Sequence, residues 1–238
     1  MRRTKLAIVT GATSGIGAAI AQTLGAAGTR VFLVGRSARK LTAAARRIPP
    51  RQLAGTAVAD LRSLADIKRL LGEVSRSFPR VNMLVHCAGE YHGSGPGSLE
   101  SESLDLMFAV NVRAPYLLTH GLTPLLERAK GQIIFLNSSV VKSAGQGVAA
   151  YKATQHAVQG FTDSLRYDLN RRGIRVTSLF PGRTATPRMR RIYAHEGRRY
   201  EPGLLLCARD VAQLVLAVTQ LPRPVEITDV HLRSVTSY

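Results

Sequence analysis

The sequence predicts an α/β protein built on a doubly wound, seven-stranded parallel sheet with helices on both faces. Three observations predict it: short β-rich runs alternate with segments of helical spacing, a glycine-rich turn follows the first run, and 238 residues suffice for about one domain. Strands that alternate with helices form parallel βαβ units around one sheet. Because no low-complexity linker or internal repeat divides the chain, we expect a single domain over residues 1–238.

The predicted elements follow in order along the chain. Apolar runs of high β propensity define seven strands: Leu6–Thr10, Arg30–Val34, Gly55–Ala59, Val81–His86, Gln132–Asn137, Arg175–Phe180 and Val225–Leu232. Apolar residues at helical spacing define helices near 15–27, 37–47, 63–76, 101–128, 150–172 and 209–220. The Arg-rich segment from Pro187 to Cys207 shows no regular strand. We expect an embedded substrate lid at about 187–207, since long excursions of this kind carry binding loops.

The charge of the chain is strongly positive and unevenly distributed. Lys and Arg number 33 against 15 Asp and Glu, and the basic residues divide into 15, 5 and 13 over residues 1–80, 81–160 and 161–238. Nucleic acid, a phosphorylated cofactor, an acidic substrate or a solvated surface could each explain this excess. The chain has no zinc-finger, basic-zipper or RNP-like motif, and its aromatic content is only 5%. We therefore expect no specific nucleic-acid partner, and any DNA affinity should be salt-sensitive and sequence-blind.

The length of the apolar stretches and the spacing of the cysteines indicate the cellular compartment of the protein. The longest apolar stretches, such as Leu6–Val9 and Leu204–Leu206, are far shorter than the roughly 18 residues of a membrane span. Met1–Lys5 begins like a signal peptide, but the glycines after the first strand interrupt the apolar run that should follow. We expect a cytoplasmic protein without a membrane span. Cys87 and Cys207 lack metal-ligand or redox spacing, so we expect two small buried hydrophobic residues and no metal site.

A glycine-rich turn follows the first strand and leads directly into an Ala-rich helix. Its glycines are spaced G-x-x-x-G-x-G, which differs from the G-x-G-x-x-G dinucleotide fingerprint. A tight strand-to-helix turn would explain the glycines alone, but the position after strand one favours binding of a pyrophosphate at the helix N-terminus. The predicted contacts are Gly11, Thr13, Ser14, Gly15, Ile16 and Gly17.

The end of the second strand bears on the choice of cofactor. An acidic residue here would hold the ribose 2′-hydroxyl of NAD, but the chain has Gly35 followed by Arg36 and Ser37. Because this residue is glycine, no carboxylate is present to repel a 2′-phosphate. The Arg36 guanidinium can bind such a phosphate through two parallel N–H groups. A solvated helix start is the other explanation, and it fits Arg39 and Lys40 better than Arg36. We therefore expect NADP(H) in preference to NAD(H).

Five motifs in order identify the chain as similar to the short-chain dehydrogenase/reductase family over essentially its whole length. They are the turn Thr10–Gly17, Asp60-Leu61 after strand three, His86-Cys87-Ala88-Gly89 in place of the family's N-N-A-G, Asn111, and Pro181-Gly182 with Thr186. The resemblance implies a Rossmann-type NAD(P)-binding domain. It also implies further cofactor contacts from Asp60, Leu61, Ala88, Gly89, Pro181, Gly182, Thr184 and Thr186.

The same resemblance implies a catalytic relay of Ser, Tyr, Lys and Asn. Tyr151 opens a segment similar to the family's Y-x-x-x-K pattern, and Asn111 matches the family's Asn. The Ser is a choice between Ser138 and Ser139. The family usually keeps 13 positions between Ser and Tyr, and a glycine seven positions before the Ser, which favours Ser138 because Gly131 precedes it. In the reduction of a carbonyl, the Tyr phenol would donate a proton and the Ser hydroxyl a second hydrogen bond.

Position 155, where the family has Lys, is Gln in this chain. An ammonium one helical turn from the phenol would lower the pKa of Tyr151, since a unit charge at about 4 Å is worth roughly 4 kcal/mol at an effective dielectric of 20. Gln155 cannot supply that charge, although its amide can hydrogen-bond ribose hydroxyls. Lys152 is no substitute, because one residue along a helix turns the side chain about 100° away. Oxidation, which needs an ionised Tyr, should suffer more than reduction.

These features predict an NADP(H)-dependent oxidoreductase that transfers a hydride between the nicotinamide and a small carbonyl or secondary alcohol, with reduction favoured. The alternative is an NADP-binding homologue with impaired catalysis that acts as a regulator or partner subunit. The pocket walls should come from Glu90 to Gly97, Val140 to Gly147 and the lid. Clustered lid arginines favour an anionic or acyl-carrier-bound substrate, and solvated charge is the other explanation. Helices 101–128 and 150–172 resemble those that pair in family homodimers and homotetramers.

Overall fold

The computed structural model of the chain describes residues 4–93, 101–143 and 147–235. The strands in these ranges are β1 (Leu6–Thr10), β2 (Arg30–Gly35), β3 (Leu53–Val58), β4 (Met83–His86), β5 (Gln132–Leu136), β6 (Arg175–Pro181), β7 (Thr184–Ala185), β8 (Leu206–Cys207) and β9 (Asp229–Leu232). The α-helices are α1 (Gly15–Ala26), α2 (Ala38–Ala45), α3 (Leu64–Ser77), α4 (Ser101–Phe108), α5 (Ala114–Ala129), α6 (Ala149–Asn170), α7 (Pro187–His195) and α8 (Ala208–Gln220). Throughout these ranges, every helix is too short or too polar to cross a bilayer.

Seven of the strands form one parallel sheet in the order β3-β2-β1-β4-β5-β6-β9. The predicted fold class is therefore confirmed. The chain winds outward from β1 to β3 on one side and from β4 to β9 on the other, so the direction of winding reverses between β1 and β4. In open α/β sheets a crevice forms at such a reversal, beside the carboxyl ends of the strands.

Each face of the sheet carries its own apolar layer. Side chains of α3, α5 and α6, including Leu70, Leu122 and Val158, pack on one face. Side chains of α1, α2 and α8, including Leu24 and Val215, pack on the other. Strands β1, β4 and β5 contribute to both layers, which explains why their sequences are continuously apolar rather than alternating.

The last strand is shorter than the predicted Val225–Leu232 and begins only at Asp229. Side chains occupy the backbone groups that a longer strand would use. The amide of Val176 donates to the Glu226 carboxylate at 2.6 Å, and the Arg175 guanidinium donates to the Val225 carbonyl at 2.8 Å. Backbone pairing resumes where the Ser178 amide donates to the Thr228 carbonyl at 2.8 Å, and the residues ahead of Thr228 are held by side chains.

The predicted helix over 101–128 is divided by a π-helical turn at Ala109–Arg113. The amide of Ala114 donates to the Ala109 carbonyl, a π-type spacing. Pro115 contributes to the break, because it has no N–H to donate to the carbonyl of Asn111 four residues earlier. Periodicity alone could not locate this turn, yet it places Asn111 in the crevice.

The segment from Pro187 to Cys207 is more ordered than its sequence suggests. The expectation that it lacks a regular strand is wrong at its end, where β8 pairs in parallel with β7. It opens with α7, whose N-cap Thr186 accepts a hydrogen bond from the Met189 amide at 3.2 Å. Glu196 then accepts from the Arg183 guanidinium at 2.9 Å, which ties the far end of the helix to the β6–β7 connection. These contacts fix α7 over the carboxyl end of the sheet.

Candidate active site

A cleft of about 1070 Å³ opens at the carboxyl ends of the strands, beside the reversal between β1 and β4. It brings together every site residue predicted from the sequence. These residues are Gly11, Thr13, Ser14, Gly15, Ile16, Gly17, Arg36, Ser37, Asp60, Leu61, Ala88, Gly89, Asn111, Ser138, Tyr151, Gln155, Pro181, Gly182, Thr184 and Thr186. Parts of the predicted pocket walls, residues 94–97 and 144–146, lie outside the described residues.

The glycine-rich turn forms one end of the cleft and approaches other backbone closely. Gly11 has φ +65°, and a Cβ there would lie 2.7 Å from the amide nitrogen of Ala88. A Cβ on Gly17 would collide with the carbonyl oxygen of Gly11. The N-cap Ser14 forms no side-chain capping bond, and the first turn of α1 has no acidic residue. The amides at the start of α1 are thus available to an anion.

Thr10, which sequence analysis did not single out, joins this turn to the end of β4. Its hydroxyl donates to the Val85 carbonyl at 3.3 Å and accepts from the amides of Cys87 and Ala88 at 3.1 and 3.2 Å. The side chain is buried. The sequence gives little indication of this role, because the hydrogen-bond partners of Thr10 are about 75 residues away in the chain.

Next to the glycine-rich turn, where β2 ends, Arg36 is already paired. Its guanidinium lies 2.7 Å from the carboxylate of Glu90, which the sequence predicted as part of a pocket wall but not as the partner of Arg36. Ser37 caps α2 by accepting from the Lys40 amide at 3.4 Å. The Arg62 guanidinium binds the Asp60 carboxylate, and its hydrogen bond and charge hold the pKa of that carboxyl below its usual value.

Asn111, in the π-helical turn, holds the backbone of Glu90. Its Oδ1 accepts from the Glu90 amide at 2.7 Å, and its Nδ2 donates to the Glu90 carbonyl at 2.9 Å. The same Nδ2 donates to the Thr154 hydroxyl at 3.1 Å. Asn111 therefore links the segment after β4 to α6.

Tyr151 and Ser138 face each other in the cleft. Burial raises the pKa of the Tyr151 phenol above its ordinary value, while the Arg188 guanidinium and a hydrogen bond with Ser138 act in the lowering direction. The Tyr151 ring also packs edge-on against the ring of Tyr91, with centroids 5.1 Å apart. The Ser138 amide donates to Oδ1 of Asn137 at 2.7 Å, which fixes the backbone of the Ser.

Gln155 is 4% exposed and points into the same cleft. Its Nε2 donates to the Thr154 hydroxyl at 3.3 Å, but its buried Oε1 has no hydrogen-bond partner in the described part of the chain. An unsatisfied buried acceptor is costly, so a ligand hydroxyl would be favoured there. Lys152 lies away from this position, because its Nζ donates to the Ser143 carbonyl at 2.7 Å.

His86 and Cys87 replace two asparagines of the family pattern and are both neutral. His86 is buried against the Phe135 ring, and its Nε2 lies 2.9 Å from the Thr119 hydroxyl. Burial lowers the pKa of His86 to about 3 and raises the pKa of Cys87 to about 12. The expectation of two buried cysteines is wrong, because Cys87 is half-buried and Cys207 is exposed.

The fold and this constellation place the chain in a known class. The sequence profile of the short chain dehydrogenase family matches residues 5–197. The chain therefore belongs to the short-chain dehydrogenase/reductase family, a class of oxidoreductases, and the resemblance seen in its motifs is confirmed.

Individual relatives cover nearly the whole chain. An uncharacterised short-chain type dehydrogenase/reductase of Sinorhizobium fredii is 34% identical over 96% of this chain and 90% of its own length. Sulfoacetaldehyde reductase 2 of Chromohalobacter salexigens is 33% identical over 93% of this chain and 91% of its own. The crystal structure of a short chain dehydrogenase from Burkholderia cenocepacia in complex with NADP has a TM-score of 0.82 and 28% identity, covering 96% of each chain.

The buried, neutral His86 predicts a pH-dependent stability. Below its ordinary pKa of 6.5 the unfolded chain takes up a proton at His86, whereas the native protein does so only near pH 3. The free energy of unfolding should therefore fall as the pH drops, by about 2 kcal/mol at pH 5 from this group. Urea denaturation of wild type and His86→Asn at pH 7.5 and 5 checks this. The free energy of unfolding of His86→Asn should fall by about 2 kcal/mol less than that of the wild type between pH 7.5 and pH 5. His120→Asn, at an exposed His, should show the full decrease. Equal decreases in wild type and His86→Asn would contradict the assignment.

Proposed function

We propose that this protein is an NADP(H)-dependent oxidoreductase that transfers a hydride between the nicotinamide and a carbonyl or secondary alcohol of a small molecule, with reduction favoured. The convergence of Ser138, Tyr151 and Asn111 with a phosphate-type glycine turn in one cleft carries this proposal. The NADP complex of the Burkholderia cenocepacia relative supports the choice of cofactor.

The residues of the cleft fit a dinucleotide. The space beside Gly11 and Gly17 admits no side chain, and the start of α1 offers unpaired amides to a pyrophosphate. The orphaned Oε1 of Gln155 is suited to accept a hydrogen bond from a ribose hydroxyl. We assign the holding of the cofactor to Gly11, Thr13, Ser14, Gly15, Ile16, Gly17, Arg36, Ser37, Asp60, Leu61, Ala88, Gly89, Pro181, Gly182, Thr184 and Thr186. When bound, the nicotinamide supplies or accepts the hydride.

In the reducing direction Tyr151 acts as the general acid. Its phenolic proton passes to the carbonyl oxygen as hydride reaches the carbon, and the Ser138 hydroxyl donates a second hydrogen bond to the same oxygen. Asn111 keeps the backbone of Glu90 and the hydroxyl of Thr154 in place. A phenolate is left on Tyr151 and regains its proton from solvent.

The environment of Tyr151 favours reduction. Because burial raises the pKa of its phenol, Tyr151 keeps its proton at neutral pH and is ready to act as an acid. Oxidation of an alcohol needs the phenolate first, and Gln155 offers no charge to stabilise it. Gln at position 155 is therefore expected to favour reduction over oxidation without abolishing activity.

We propose a small carbonyl substrate with a negatively charged group, enclosed by the lid at about 187–207. Arg188 and Arg191 line the cleft from α7, and no carboxylate of the described residues lies within ion-pair distance of either. A substrate anion would pair with such a guanidinium. The relative named sulfoacetaldehyde reductase supports this class.

The activity test uses two opposite substitutions on a panel of carbonyls with NADPH. Tyr151→Phe should lose about 10²- to 10⁴-fold in kcat, because the general acid is removed. Gln155→Lys should increase turnover, and oxidation more than reduction, because an ammonium stabilises the phenolate. Tyr167→Phe, at an exposed Tyr of α6, is the control. If Gln155→Lys gains nothing on substrates that the wild type turns over, the role assigned to position 155 is wrong.

The second candidate is an NADP-binding regulator or partner subunit with impaired catalysis. Gln155 and the His86-Cys87 pair favour it, because they depart from the family's pattern at the site. The retention of Ser138 and Tyr151 in contact opposes it. Saturable NADPH binding without NADPH consumption across the substrate panel would favour this candidate over the oxidoreductase.

The Arg36–Glu90 pair predicts how cofactor preference is set. A 2′-phosphate must compete with the Glu90 carboxylate for Arg36, and such a partly exposed pair is worth up to about 1 kcal/mol. Glu90→Gln should therefore lower the Kd for NADPH about three- to fivefold and leave that for NADH nearly unchanged, as measured by fluorescence titration. Arg36→Met should raise the Kd for NADPH selectively. Asp168→Asn, at an exposed carboxylate of α6, controls for net charge; equal effects on both cofactors would contradict the role of Arg36.

We also propose that the protein is a homodimer or homotetramer. Large aromatic side chains are exposed on the helices that the resemblance pointed to: Tyr116 of α5 is 53% exposed and Tyr167 of α6 is 67% exposed. Aromatic residues of this kind are enriched where protein surfaces pair. Light scattering should give the mass of two or four chains, and a monomer mass at micromolar concentration would contradict the proposal.

A further inference from the structure

Proton donation by Tyr151 creates a charge that needs stabilisation. The proposed reduction leaves a phenolate in a half-buried position, where an uncompensated negative charge is costly. The amide of Gln155 is neutral, and Lys152 is turned toward Ser143. Substantial turnover therefore requires a cation from another element that stabilises the phenolate of Tyr151.

Arg188 reaches the centre of the cleft from the second position of α7. The start of that helix is fixed by Thr186 as N-cap and by Pro187 at its first residue. From there the Arg188 guanidinium crosses the cleft, and its Nη2 donates to the carbonyl of Gly89. Its Nη1 lies 3.7 Å from the point where a Cβ on Gly89 would stand.

This guanidinium lines the same cleft as the catalytic tyrosine, and no carboxylate of the described residues pairs with it. Gly89 is two residues before Tyr91, whose ring packs on the ring of Tyr151. Of the other arginines that line the cleft, Arg36 is paired with Glu90 and Arg183 with Glu196, whereas Arg191 has no carboxylate partner among the described residues. Arg188 has only a neutral carbonyl as its hydrogen-bond partner in the described residues.

The charge of Arg188 acts on two groups at the site. It opposes the effect of burial on the pKa of Tyr151, and it does the same for the thiol of Cys87, which follows β4. Both effects come from one cation placed between α7 and the end of β4, and they agree with its contact to Gly89.

We propose that Arg188 provides the positive charge that stabilises the phenolate of Tyr151, in place of the lysine that is absent at position 155. Arg188 acts through Tyr151 and so is a positioning residue rather than a proton donor. The proton leaves the Tyr151 oxygen for the substrate oxygen, and the electron pair that remains on the phenolate faces the guanidinium. The consequence for turnover rests on the proposed function, but the charge effect on Tyr151 does not.

The direct test titrates Tyr151 without any cofactor. With 3,5-difluorotyrosine at position 151, whose lower intrinsic pKa brings ionisation into a range where the protein is stable, ¹⁹F NMR follows the phenol alone. Because solvent reaches Arg188, Arg188→Met should raise this pKa by about one unit rather than several. Arg188→Lys should keep this pKa close to its wild-type value, because the positive charge is retained. Arg190→Met removes the same charge two residues further along α7, where the guanidinium packs on Tyr200, and should not shift it. An unchanged pKa in Arg188→Met, or an equal shift in Arg190→Met, overturns the proposal.

Kinetics with a neutral and an anionic carbonyl separate this role from substrate binding. Arg188→Met should lower kcat about tenfold on both substrates and move the alkaline rise of alcohol oxidation to higher pH, and Gln155→Lys in that background should restore kcat. A rise in KM for the anionic substrate alone, with kcat and the pH profile unchanged, would make Arg188 a substrate anchor and overturn the proposal. If the wild type turns over no carbonyl, the proposed function fails, while the ¹⁹F titration still decides the role of Arg188.

Discussion

The close approach of the β1–α1 turn to the end of β4 is the constraint on which the site depends. The two segments touch through backbone, since even a methyl group on Gly11 would collide with Ala88. The hydroxyl of Thr10 then joins them by accepting both amides that follow β4. Because β1 and β4 are the strands at which winding reverses, this contact brings the phosphate-type turn and the segment that carries Glu90 to opposite sides of one crevice.

Polar contacts extend from that point along the cleft. Asn111 holds the Glu90 backbone at both its amide and its carbonyl, and the Glu90 side chain pairs with Arg36. Next to Glu90, the Gly89 carbonyl accepts from Arg188. A short stretch after β4 thus touches both the residue to which we assign cofactor choice and the residue that we propose to act on Tyr151. A substitution at Arg36 is therefore expected to alter the position of Arg188, and the reverse, because their partners Glu90 and Gly89 are adjacent in the backbone.

The large positive charge has several separate structural uses. Arg175 binds carbonyls ahead of β9 and so replaces strand pairing at the edge of the sheet. Arg183 and Arg198 share the Glu196 carboxylate and lie on the ring of Tyr193, which steadies the end of α7. Guanidinium groups suit these tasks because they combine several donors with a flat face that stacks on aromatic rings. Part of the positive charge is therefore used in contacts within the fold.

Local patterns were sufficient for the elements of this fold, because strand runs, helical spacing and a glycine turn are properties of neighbouring residues. The first strand, Leu6–Thr10, and the end of the last helix at Gln220 lie where the sequence predicts them, and the family motifs all line one cleft. Contacts between distant residues followed only from the tertiary structure. Glu90 with Arg36 and Arg188 with Gly89 join residues 54 and 99 positions apart, and no local pattern encodes such pairs. The absence of a lysine at position 155 is visible in the sequence, but the entry of Arg188 into the cleft of Tyr151 follows only from the way α7 is folded over the sheet.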